Sequence, residues 1–95
     1  MSETTYKLPS ASLWEHVAKL AMVDDKPIMM DYWTESLEKK VLIGVRENGE
    51  KLLVKNSEEY TSPVSKIFKV DDAYIICTEN SIYVTSNSIP TKRIS

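Results

Sequence analysis

Between Val64 and Ser86 the chain reads Val-Ser-Lys-Ile-Phe-Lys-Val, Asp-Asp, Ala-Tyr-Ile-Ile-Cys-Thr, Glu-Asn-Ser, Ile-Tyr-Val-Thr-Ser. Three runs rich in β-branched and aromatic residues alternate with two clusters of turn formers. Such runs suit a pleated, half-buried surface. Asp71-Asp72 and Glu79-Asn80-Ser81 carry side chains that bond their own backbone in tight turns. The stretch predicts three short strands joined by two turns, and the rest of the chain has to pack around that meander.

Residues 1 to 8 read as a flexible arm. A helix is expected over residues 12 to 23. Ser12 and Glu15 have the spacing of a capping box, in which each side chain satisfies an orphan backbone N–H. Leu13, Val17, Leu20 and Ala21 follow at helical spacing, with Trp14 at the edge of the stripe. Asp24-Asp25-Lys26-Pro27 is turn chemistry, and the residue before proline avoids the helical region.

Pro27 to Thr34 then reads as a strand. Its alternation puts Ile28, Met30 and Tyr32 on one face and Met29, Asp31 and Trp33 on the other. The runs Lys40 to Arg46 and Lys51 to Asn56 flank Asn48-Gly49, a strong hairpin signal. A two-residue loop would oppose Arg46 with Lys51 and Glu47 with Glu50. A three-residue loop, with Gly49 in the left-handed region, opposes Arg46 with Glu50 and is favoured by charge. Asn56 to Ser62 is a polar connection containing Tyr60, and Thr91 to Ser95 can add a last strand with Ile94 inward.

The hairpin from Val41 to Gly49 matches the pattern from Tyr74 to Ser81. Each unit goes on to a proline followed by a basic residue and isoleucine: Pro63, Lys66, Ile67 and Pro90, Arg93, Ile94. Two three-strand meanders of about thirty residues each account for this. The expected fold is a single mostly-β (α+β) domain. An N-terminal helix precedes about six short antiparallel strands over residues 27 to 95, arranged as a small barrel, roll or open sheet.

At Tyr60-Thr61-Ser62-Pro63 and from Ile76 to Tyr83 the wording of the chain resembles small uncharacterised proteins of large double-stranded DNA viruses. The resemblance implies a host cytoplasm, nucleus or virion as location. It implies no activity and no functional residues.

Chemistry-bearing constellations are sparse. His16 is the only histidine and Cys77 the only cysteine. A lone thiol in a strand reads as a small hydrophobe, which suits a reducing, intracellular compartment. The two glycines, Gly44 and Gly49, match no nucleotide-binding fingerprint. Asp24-Asp25, Glu58-Glu59 and Asp71-Asp72 fall in predicted turns, where carboxylates are ordinarily solvated. No catalytic, cofactor-binding or metal-binding residues are assigned, no cofactor is expected, and the chain reads as a non-enzyme.

No apolar run approaches the roughly 20 residues needed to cross a bilayer, so no membrane partner is expected. With 12 basic and 14 acidic residues the net charge is −2, which argues against general nucleic-acid binding. A small-barrel nucleic-acid binder stays as the alternative through Lys39-Lys40, Lys66, Lys69 and Lys92-Arg93. The main reading is a protein-interaction or structural module with an unknown protein partner, self-associating as a homodimer. Two-sided apolar strands single out Met29, Trp33, Tyr74 and Tyr83 as interface residues.

Overall fold

The computed structural model describes residues 8 to 94. The arm expected over residues 1 to 8 falls, Leu8 apart, outside that range. Helix α1 spans Ala11–Asp24 and a short helix α2 spans Trp33–Leu37. Eight strands follow the chain as β1 Ile28–Met29, β2 Leu42–Val45, β3 Lys51–Asn56, β4 Glu59–Tyr60, β5 Val64–Val70, β6 Ala73–Thr78, β7 Ile82–Ser86 and β8 Thr91–Arg93. They form two four-stranded sheets, ordered β1-β7-β6-β5 and β4-β3-β2-β8. We call these the central and the outer sheet. Neither closes into a barrel.

The fold is layered because β6 and β7 are apolar on both faces. Ala73, Ile75, Cys77, Ile82 and Val84 pack against Leu13 and Val17 of α1 and Trp33 of α2. The alternate residues Tyr74, Ile76 and Tyr83 pack against Val41, Ile43 and Leu53 of the outer-sheet side. The central sheet is thus covered by helices on one face and by the outer sheet on the other. Leu13 and Val17 are wholly buried, each contributing about 1.5–3 kcal/mol by leaving water.

The meander of β5, β6 and β7 follows the sequence pattern, antiparallel throughout. So does the hairpin. Arg46 N–H donates to Glu50 O at 2.8 Å, Gly49 N–H donates to Arg46 O at 2.9 Å, and Gly49 has φ +91°. Val45 pairs with Lys51 in the ladder, so Arg46 opposes Glu50 and the loop has three residues. Their side chains form an ion pair at 3.6 Å.

Three sequence expectations need correction. The helix is capped by Ser10, not Ser12: Ser10 Oγ accepts from Leu13 N–H at 3.1 Å. Both serines have the right chemistry. Ser10 wins because its hydroxyl also donates to Asp71 in the β5–β6 turn, and Pro9 beside it is buried. Ser12 and Glu15 stay exposed inside the helix.

The strand expected from Pro27 to Thr34 stops at Met29 and becomes a helical turn. Trp33 N–H donates to Met30 O at 3.1 Å and Ser36 N–H to Tyr32 O at 2.9 Å. This turn sends neighbouring residues into different cores, Tyr32 between the sheets and Trp33 beneath the helix. It also aims Ser36 Oγ at the end of β7, where it accepts from Ser86 N–H at 2.8 Å. A continued strand would forgo both.

Third, two strand pairs are parallel, β1 with β7 and β2 with β8. The internal repeat explains part of this. Both prolines do precede a strand, β5 after Pro63 and β8 after Pro90. Yet each pairs with the other unit's hairpin, β5 with β6 and β8 with β2. β4 occupies the edge of β3, and the two-residue connection Asp71-Asp72 holds β5 to β6 instead.

Candidate interaction surfaces

Alternation along β2 and β3 divides their residues between the sheet's two faces. Ile43 opposite Leu53 points into the inter-sheet core. Leu42 opposite Val54, and Gly44 opposite Leu52, therefore face outward. Tyr60 pairs with Val54 and Lys92 with Gly44, which places them on the same outward face. Ile94, just beyond β8, donates its N–H to Val45 O at 2.9 Å and lays its side chain on Gly44.

The result is an open apolar groove of about 550 Å³, with Leu52, Val54, Tyr60 and Ile94 as apolar lining and Arg46, Asn56 and Ser57 as the polar part. Leu52 is 2 % exposed at its floor, while Tyr60 is 52 % and Ile94 36 % exposed. The two edges of the sheet carry opposite charge, Glu58-Glu59 at the β4 side and Lys92-Arg93 at the β8 side.

A polar cluster on the inward side ties α2 to the outer sheet. Lys55 Nζ stands 2.8 Å from Glu35 Oε1 and 3.7 Å from Glu59 Oε2, and 5.6 Å from the centroid of the Tyr32 ring. The hydrogen bond to Glu35 is the main cause that raises the Lys55 pKa. Burial, then the charge of Glu59, raises that of Tyr32. The Tyr32 and Tyr83 rings lie 5.6 Å apart at 50°, a tilted contact within one chain.

The four residues expected at an interface are not brought together on the surface. Trp33 is 5 % exposed, buried beneath α1. Tyr74 and Tyr83 are half-buried between the sheets. Met29 is half-buried on β1. The two-sided strands β6 and β7 that carry Tyr74 and Tyr83 are real, but the chain covers both of their faces itself, and Trp33 lies in α2 instead of a strand. The exposed counterpart lies on β2 and β3, where Val41-Leu42-Ile43 and Leu52-Leu53-Val54 carry the same two-sided signal.

The remaining candidates have local roles. His16 is exposed, its Nδ1 2.8 Å from Ser12 O. Cys77 is sealed in the helix-side core, and burial, then the nearby Asp24, pushes its pKa up. Asp25 ends α1 with φ 54° and Asp71 turns the chain with φ 54°. Among the described residues no group of three or more His, Cys, Asp and Glu could hold a metal ion. No helix of the described residues is long and apolar enough to cross a membrane. No protein-family model matches the chain, and no match emerges among curated proteins or solved structures.

Proposed function

We propose that this chain is a non-enzymatic protein-interaction module that pairs with a second copy of itself through the outward face of the outer sheet. The observation that carries this reading is the uncovered groove around Leu52, Val54, Tyr60 and Ile94. Apolar patches rimmed by polar residues commonly mark interfaces, and a two-fold contact of one patch with its own copy is the commonest closed arrangement. Tyr60 is the anchor, an exposed aromatic able to bury a large area at small entropic cost.

Charge selects the orientation. A two-fold axis running along the strands sets the β4 edge of one copy over the β8 edge of the other. The acidic β4 edge, through Glu58, then meets Lys92 on the outward face of β8 at both ends of the interface. An axis across the strands would stack like on like, which costs energy. The nucleic-acid alternative has weaker support, because an acidic edge flanks the same face.

Light scattering at tens of micromolar tests the reading. The expected mass is that of a dimer, reduced to a monomer by Tyr60→Glu with unchanged circular dichroism. A monomer across the whole concentration range overturns it.

A further inference from the structure

The central sheet has one long open edge. β1 at its far side is only two residues, whereas β5 at the near side runs from Val64 to Val70. β5 pairs with β6 along one side. Among the described residues no strand pairs with its other side. An unpaired strand edge offers a row of backbone donors and acceptors to any extended chain.

Three features tune this edge for a particular occupant. First, a groove lies along each face of β5. The one on the helix side, about 340 Å³, is mainly apolar, with Leu20, Phe68, Val70 and Ile75 in its lining. The one toward the hairpin loop, about 390 Å³, holds Glu50, Lys51, Ser65 and Lys66 in a more polar lining. An added strand sends successive side chains to opposite faces, so one groove would take its apolar residues and the other its polar ones.

Second, the edge is basic. Lys66 and Lys69 are on β5 itself, on its helix-side and outer-sheet faces respectively, Lys19 lines the helix-side groove and Lys51 the other; the grooves hold one carboxylate, Glu50, and Asp71-Asp72 follow at the end of the strand. Third, the register shifts at Ser65, whose Oγ donates to Cys77 O at 3.0 Å. Such a bulge ends regular pairing at that point, leaving Lys66 to Val70 as the regular docking length.

We propose that β5 is a docking edge for an extended peptide segment that alternates acidic with apolar residues, taken up by β-strand addition. Main-chain hydrogen bonds supply affinity, and the two grooves supply the alternation rule. Acidic side chains meet the lysines. A second copy of this chain is repelled here, since it would bring the same lysines to the edge. The edge is separate from the outer-sheet face, so it stands whether or not the chain dimerises there.

The test uses the intact protein, labelled for amide NMR, and nine-residue peptides that alternate glutamate with valine, isoleucine, leucine or phenylalanine. The expected result is that at least one peptide shifts the amides of residues 66 to 70 and slows their hydrogen exchange. Lys66→Glu with Lys69→Glu weakens that binding about tenfold or more, while counterparts with lysine in place of glutamate do not bind. Edge-facing amides of β5, those not bonded to β6, that are already protected in the free protein, or that no acidic peptide moves, overturn the proposal. So does equal binding of the lysine peptides. A single-stranded oligonucleotide that shifts these amides more strongly than the peptides also overturns it, in favour of a nucleic-acid edge.

Discussion

The side chain of Ile94 rests on the bare backbone of Gly44. A Cβ at position 44 would stand 2.7 Å from Ile94 Cδ1 and 3.1 Å from Val54 Cγ2. The glycine is required here for space. Its backbone does not sit in the left-handed region, unlike that of Gly49. The absent side chain lets a residue beyond the last strand fold over the outer sheet and complete its groove.

Gly44→Ala should therefore act on the surface more than on the fold. Ile94 Cδ1 is the far end of a side chain that can swing aside, but Ile94 Cγ2 at 3.0 Å and Val54 Cγ2 at 3.1 Å must also give by a few tenths of an ångström, so unfolding free energy should fall by no more than about 1–3 kcal/mol. Dimer affinity should fall about tenfold because Ile94 leaves the groove. Urea unfolding and light scattering on the same sample separate the two effects. A large stability loss with an unaltered mass would contradict this account.

Ser10→Ala should cost about 0.5–2 kcal/mol, the usual range for a lost N-cap. The hydroxyl serves twice, accepting from Leu13 N–H and donating to Asp71. Ser12→Ala, at an exposed position inside the helix, should be neutral or slightly stabilising, since alanine is the better helix former. Equal losses from the two variants would restore Ser12 as the cap.

Much of this fold is legible from residue pattern because its decisive signals are local. The Arg46–Glu50 opposition follows from charge and one glycine, and the meander from runs of β-branched residues broken by turn formers. What is not legible is set at a distance. Ser10 and Ser12 are interchangeable until Asp71 arrives from 61 residues away. The helical turn that holds Trp33 also places Ser36, whose Oγ accepts from Ser86 N–H 50 residues on. The crossed pairing of β5 and β8 depends on which edges β4 and the Asp71-Asp72 turn have already taken. The candidate surface is hidden for a related reason. Tyr60 sits in a polar connection, and only the strand pairing with Val54 shows that it joins an apolar face.

Stability should decline in alkali. The buried Cys77 thiol and the Tyr32 hydroxyl are both held above their ordinary values of 9.0 and 10.0, chiefly by burial. Lys55 is held above its ordinary 10.5, chiefly by its hydrogen bond to Glu35. Each group keeps its proton more tightly when folded. Below about pH 9 all three are protonated in both states and their contribution is complete. As pH rises through the unfolded and then the folded values, the unfolded chain releases protons first and stability is lost. The urea midpoint should fall steadily from about pH 9 upward, and less so in Cys77→Val. A midpoint flat to about pH 11 would refute the assignment.

Thr85 gives the sharpest test of the inter-sheet core. It is wholly buried on β7, opposite Tyr74. Its Oγ1 is the one buried side-chain polar atom among the described residues with no hydrogen-bond partner. An orphaned hydroxyl in an apolar setting costs about 1–3 kcal/mol of desolvation. Valine has nearly the same shape, keeps the β-branch that suits a strand and removes the polar atom. Thr85→Val should therefore raise the unfolding free energy by about 1 kcal/mol, against the usual tendency of core substitutions to destabilise. Thr85→Ala would leave a cavity and should lower it. Opposite signs for the two variants in urea unfolding are the expected outcome. A loss of stability in Thr85→Val would mean that the hydroxyl has a partner in solution, such as a buried water between the sheets.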